Sequence, residues 1–205
     1  KVASYIETLT LAYYFSDDIK YSNKAEDFIR TWFLNPDTKM NPNLNFAQAV
    51  KGKNDGRGIG IIESRILSVV ADGVGFLQSS PSWTKNDQQG MEKWFEDFLQ
   101  WLITSKNGIE ESKAKNNHGI WYDEQKLFFA LFANNTEIAK STLKSMKSRV
   151  EMQMDTTGFF PEELARTISL HYSAFILEPL FLTANMADAA GEDFWNYNPS
   201  DRKST

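Results

Sequence analysis

The chain is 205 residues long, carries no cysteine, and is 41% hydrophobic and 24% charged, with a formal net charge of -5. This composition excludes disulfide staples, thiolate metal sites and a cysteine nucleophile, and it is too apolar for a disordered chain. An acidic chain without a basic run argues against nucleic acid as the main partner, although a few local Arg and Lys in a cleft would still suit a polyanionic sugar.

The first residues, Lys1-Val2-Ala3-Ser4-Tyr5, already follow an amphipathic helix pattern and show no leader peptide. A start inside an element leads us to expect a processed or shortened product. Val2, Ile6, Leu9 and Tyr13 predict a first helix that ends at Asp17-Asp18. Lys24 to Leu34 reads as a second, stopped by Asn35-Pro36-Asp37. Met40 to Gly60, rich in Asn, Gly and Lys, has no sustained period and reads as irregular. Ile62, Ile66, Val69, Val70 and Phe76 mark a third helix, broken by Ser79-Ser80-Pro81-Ser82. Met91, Trp94, Phe95, Phe98 and Leu102 form the clearest apolar face.

The polar segment Lys113 to Gly119 follows, then helices over Gln125 to Phe132, around Ala139 to Val150, and over Ser169 to Ala190. Pro179 should kink the last of these or limit one of its turns. Strand signals are nearly absent, and no apolar stretch is long enough to cross a bilayer. The pattern predicts an all-α chain of about seven helices in antiparallel pairs, compatible with a stack such as a toroid or solenoid. With 15 Phe, 7 Tyr and 6 Trp, the rings could fill such a core or line a groove.

Three stretches could carry chemistry. Asn116-Asn117-His118-Gly119-Ile120-Trp121-Tyr122 sets amide donors, an imidazole and two aromatics at a helix entrance, and only one other histidine, His171, exists in the chain. An imidazole exchanges protons near neutral pH, and an adjacent Asn can donate to a carboxylate or to developing charge. Capping by Asn116 or Asn117 is the plainer account.

In the second stretch, Glu163-Leu164-Ala165-Arg166 leads to His171-Tyr172-Ser173. Arg166 could clamp a carboxylate and Tyr172 could act as a base, or Arg166 could pair with Glu162 and Tyr172 could be core. The third stretch, Gly56-Arg57-Gly58-Ile59-Gly60 through Ile62-Glu63-Ser64-Arg65, superficially matches a dinucleotide turn. It lacks the preceding strand, and a glycine loop entering a helix is the safer account, in which Arg57 or Arg65 could face a substrate. The histidines have no metal-ligand spacing and no serine elbow occurs. Asp123, Glu124, Glu162 and Glu163 leave a paired-carboxylate glycoside hydrolase open as a rival.

The two histidine-containing stretches, with Asn41-Pro42-Asn43-Leu44-Asn45-Phe46-Ala47 and the Gly56-to-Arg65 stretch, resemble the alginate lyase family whose members fold as an (α/α) toroid, the mannuronate-specific type. The resemblance implies that residues 1–205 are a helical catalytic domain forming part of such a toroid, an incomplete barrel lacking N-terminal helices. It implies a lyase acting on an acidic polysaccharide by β-elimination, without cofactor or metal and with no membrane or nucleic-acid partner. The roles carried over make Asn117, His118 and Arg166 neutralise the uronate carboxylate and Tyr172 handle the proton. Arg57, Arg65, Trp121, Tyr122 and His171 become substrate contacts. The family also implies a periplasmic or secreted location. A helical module that binds acidic glycans without turning them over is the other alternative.

Overall fold

The computed structural model describes residues 1–198. Helix starts are set by polar side chains that accept the first free backbone N–H groups. α1 (Val2–Ser16) ends at Asp17, whose left-handed φ of 55° lets its N–H bond back to Tyr13. Asp18 then accepts from the Lys20 N–H at 3.0 Å and opens α2 (Ile19–Ile29), several residues ahead of the expected Lys24. Hydrophobic spacing misplaced that start because the first turn of α2 is mostly exposed. A π-helical turn, Arg30–Leu34, continues α2.

A 3₁₀ helix, Gly58–Ile66, runs directly into α3 (Leu67–Leu77), so the expected third helix is a tighter turn followed by an α-helix. Thr84 and Asp87 form a reciprocal capping box on α4 (Lys85–Thr104). Asp87 also receives Arg30 Nε at 3.0 Å and Nη2 at 2.7 Å, and this pairing lowers its pKa to about 2. α5 (Lys106–Glu111) is a single short helix that apolar periodicity does not reveal. α6 (Asn117–Phe132) and α7 (Thr136–Gln153) follow, joined by a tight turn at Asn134 with φ 57°. A four-residue α8 (Pro161–Leu164) precedes α9 (Ser169–Ala189), which continues through Pro179.

The arrangement is all-α, and among the described residues the only β pairing is an isolated bridge between Val50 and Asn54. α6 is the central element. Phe95 of α4 packs on Phe129 and Phe132, while Phe98 one turn on packs on Phe129. At the other end the Tyr122 hydroxyl donates to the Leu102 carbonyl, so α4 and α6 are antiparallel. α7 returns antiparallel along α6, with Arg149 near its end meeting Asp123 near the start of α6. Trp121 of α6 meets Phe175 of α9, and each lies in the early part of its helix.

The expected face of α4 is the core: Met91, Phe95, Phe98 and Leu102 are fully buried, alongside Leu127 and Phe129 of α6. Removing one of these rings should cost about 3–5 kcal/mol. Most large rings on α4 and α6 are therefore structural rather than ligand platforms. No helix among the described residues is long and apolar enough to cross a membrane.

Candidate active site

Asn116 caps α6 by accepting from the His118 N–H at 3.2 Å. The Asn117 N–H is taken by a side chain from far along the chain, Glu163 Oε1 at 2.5 Å. The Asn117 side-chain amide donates to the same carboxylate, at 3.1 Å to Oε1 and 2.9 Å to Oε2. Both Asn117 and Glu163 are buried. A carboxylate at the positive end of a helix, receiving several N–H groups, is well placed electrostatically. This contact starts α6 at Asn117, eight residues before the Gln125 that periodicity indicates. Asn117 and His118 thus sit in the first helical turn.

His118 is held from its other side. Its Nδ1 lies 2.6 Å from Glu111 Oε1, and the Glu111 side chain is almost wholly buried while the His118 side chain is 23% exposed. A carboxylate at Nδ1 fixes the N–H there and leaves Nε2 as the ring atom facing outward. Because Glu111 ends α5 and His118 opens α6, the pair closes the intervening loop. Arg149 braces that loop. It bonds Asp123 at 2.6 Å and the carbonyls of Ala114 and Ser112 at 2.9 and 2.8 Å. Gly119 is required here, since a Cβ would collide with the Ala114 carbonyl and the Arg149 guanidinium.

Arg166 lies in the turn between α8 and α9, three residues beyond Glu163, rather than within one helix with Tyr172. Its guanidinium folds over the Tyr172 ring, 3.9 Å from the centroid, and Nη2 donates to the phenolic oxygen at 2.7 Å. Arg166 is exposed and Tyr172 half-buried, so Tyr172 is not core, and the Arg166–Glu162 pair considered from sequence does not form. His171 packs edge-on to Tyr172 and stacks on Phe175. Phe175 meets Trp121, and Arg65 lies 5.6 Å from the Phe175 ring and 5.8 Å from that of Trp121. This chain of contacts joins the entrances of α6 and α9.

Of the nine residues singled out from sequence, one chain of contacts links Arg166, Tyr172, His171, Trp121 and Arg65, and Asn117 and His118 stand on α6 one turn before Trp121. Arg57 is committed elsewhere. It donates to the backbone and side-chain oxygens of Gln48 at 3.1 and 3.2 Å, with Gln48 in a left-handed backbone. Tyr122 points into the core, where burial raises its pKa. The rows of the helix explain the difference: Trp121 faces α9, and Tyr122, 100° further round, faces α4. Trp121 itself is only 2% exposed, and its indole N–H has no partner among the described residues.

Sequence reading missed Glu111 as a partner of His118, because a polar loop separates them and spacing across a loop carries no geometry. Arg149 and Ser64 were missed for similar reasons. Ser64 donates to Gln125 at 2.6 Å and ties the 3₁₀ helix to α6.

The carboxylates offered for hydrolysis do not form an accessible pair. Glu163 is engaged by Asn117 and Asp123 by Arg149, and Glu124 is buried with its pKa pushed up to about 8, by burial first and then by the charges of Glu178 and Asp72. Only Glu162 is exposed. Among the described residues no His, Asp and Glu cluster fit for a metal occurs.

The fold is all-helical, with a carboxylate-braced Asn-His pair at the entrance of α6 and an Arg-Tyr pair at the entrance of α9. The chain matches the family model described as Alginate lyase over residues 1–204, and it belongs to that family. A crystal structure of an alginate lyase from Bacteroides ovatus superposes with a TM-score of 0.94 at 37% identity, covering 99% of this chain and 54% of that one. Alginate lyase A1-III complexed with a tetrasaccharide matches at TM-score 0.71 and 18% identity, over 98% of this chain and 55% of that one. The second match shows the fold alone. This chain therefore spans about half the length of the solved structures it matches. The helix pairs are consistent with part of an (α/α) toroid. No curated protein sequence matches.

Proposed function

We propose that this chain carries the β-elimination machinery of a polysaccharide lyase acting on a uronate polymer, with alginate rich in mannuronate as the substrate. The observation that supports it best is the double bracing of the α6 entrance, where Glu163 holds Asn117 and Glu111 holds His118. This leaves His118 Nε2 outward, suited to the carboxylate of a sugar. The Arg166–Tyr172 pair supplies a phenolic oxygen under a cation, reached through the Trp121–Phe175–His171 contacts.

In the proposed reaction His118, with Arg166, offsets the uronate carboxylate charge, so that removing the C5 proton gives a stabilised enolate-like species. Asn117, buried and held by Glu163, positions the first turn of α6 that carries His118. Tyr172, as phenolate, takes that proton. The electrons of the C5–H bond form the C4–C5 double bond, and the C4–O bond breaks. The phenol formed at Tyr172 returns the proton to the departing oxygen, which requires both to lie on the same side of the ring. The products are a new reducing end and an unsaturated uronate, with protons and electrons balanced within the substrate and Tyr172. Arg65 and His171 are assigned to substrate contact, Trp121 supports them from the buried side, and Arg57 and Tyr122 are not assigned to it. Such a polymer is met outside the cytoplasm, and a periplasmic or secreted location goes with the proposal.

The test is ultraviolet absorbance of the conjugated product during incubation with polymannuronate, polyguluronate and glucuronan in turn. A steady rise on one polymer supports elimination and names the preferred uronate. Release of reducing sugar without that absorbance would overturn it in favour of hydrolysis, and glycan binding without either product would favour a binding module.

A further inference from the structure

On the far side of the loop that Glu111 and His118 bracket lies a cleft of about 800 Å³. One wall is the outward face of α7, where Ser141, Lys144, Ser145 and Ser148 recur at helical spacing, and the other is the loop with Lys113 and Lys115. The three ammonium groups form no ion pair among the described residues. Arg149 also borders the cleft, but its charge is taken by Asp123 and its remaining donors by the loop carbonyls, so it stiffens the wall rather than adding free charge. Glu162 is the one carboxylate on the rim. In a chain of net charge -5, this is a locally cationic recess of a size that suits a few sugar units.

No aromatic ring lines the cleft, so stacking on a neutral sugar face is not its mode of binding. Ammonium and hydroxyl groups suit a ligand that presents carboxylates and hydroxyls together. Lys115 and Glu162 also border a smaller hollow at Asn116, next to the Asn117–His118 pair. A polymer passing the α6 entrance would cross that hollow into the cleft.

We propose that this cleft is an accessory binding site for uronate units of the polymer beyond the reacting one. It rests on the polyuronate reading of the active site, and the two separate experimentally. Affinity electrophoresis in gels containing polymannuronate reads binding without turnover, and product absorbance reads elimination. Wild type, the double variant Lys113→Glu/Lys144→Glu, and Tyr172→Phe are compared, with polyglutamate gels as a control for unspecific attraction. Both lysines are exposed, so the reversal should leave the fold intact, checked by circular dichroism.

The expected result is retardation of wild type and Tyr172→Phe, about ten-fold weaker apparent binding for the double variant, and little retardation by polyglutamate. Equal retardation of wild type and double variant, no retardation of wild type, or equal retardation by polyglutamate would each overturn the site. Lysine-dependent retardation without any elimination product would leave the cleft standing and remove the lyase reading alone.

Discussion

The entrances of α6 and α9 bring the two halves of the candidate site together by opposite means. At α6, Asn117 is 1% exposed, and both it and His118 are held by carboxylates supplied by other elements, Glu163 and Glu111. At α9, Arg166 is exposed, and its guanidinium contacts Tyr172, six positions on. One half is built from long-range buried bonds, which fix geometry and make removal of either partner costly. The other is a local pair, with Arg166 exposed and Tyr172 half-buried, that is not tied into the core by such bonds. In the proposed reaction the half held by buried bonds receives the substrate carboxylate, and the more exposed half carries the proton.

The largest expected effect lies at the α9 entrance. Tyr172→Phe keeps the ring under Arg166 but removes the oxygen, and turnover should fall about 1000-fold with unchanged melting behaviour. Normal turnover in this variant would end the assignment of Tyr172. On the rigid side, Glu111→Gln keeps the size of the side chain but no longer dictates which His118 nitrogen carries the proton. We expect kcat to fall on the order of 100-fold, with a changed pH profile and a small loss of stability. An unchanged profile would mean that Glu111 only fills space.

Deeper on α6, Glu124 sharpens the contrast through pH. Its native pKa of about 8 lies above the ordinary 4.5, so between these values the native state binds a proton that the unfolded state has released. Its contribution is therefore fully present below pH 4.5, falls as pH rises toward 8, and is flat above. Glu124→Gln should abolish that slope, and by pH 8.5 it should be more stable than wild type by on the order of 2 kcal/mol in urea titrations at matched pH. Parallel wild-type and variant curves would refute the buried-acid account. The smallest effect is expected for Arg166→Lys, which loses the planar stack and directed donor while keeping the charge. A loss of about 10-fold in kcat/KM with no change in stability fits an exposed pair.

Much of the helical frame was legible. The apolar face of α4 was read correctly from Met91, Trp94, Phe95, Phe98 and Leu102 because burial on one side of a helix imposes its period on the sequence. The starts of α2 and α6 were not, since Asp18 and Glu163 act through side-chain hydrogen bonds that leave no periodic trace. Among the candidate site residues, Arg166 and Tyr172 could be paired in thought because six positions separate them. Trp121 and Tyr122 could not be told apart, although one faces α9 and the other the core.

By itself the sequence determined the all-α class, the exclusion of thiol chemistry, and the two motifs that carry the family resemblance, because composition, helical period and motif order are properties of the chain. Tertiary structure decided which side chains serve the site. Glu111 reaches His118 across a loop, Glu163 reaches Asn117 from 46 positions away, and Arg57 turns instead to Gln48. The physical reason is that hydrogen bonds and ion pairs act over a few ångströms in space, and only packing of the helices sets which distant residues come that close.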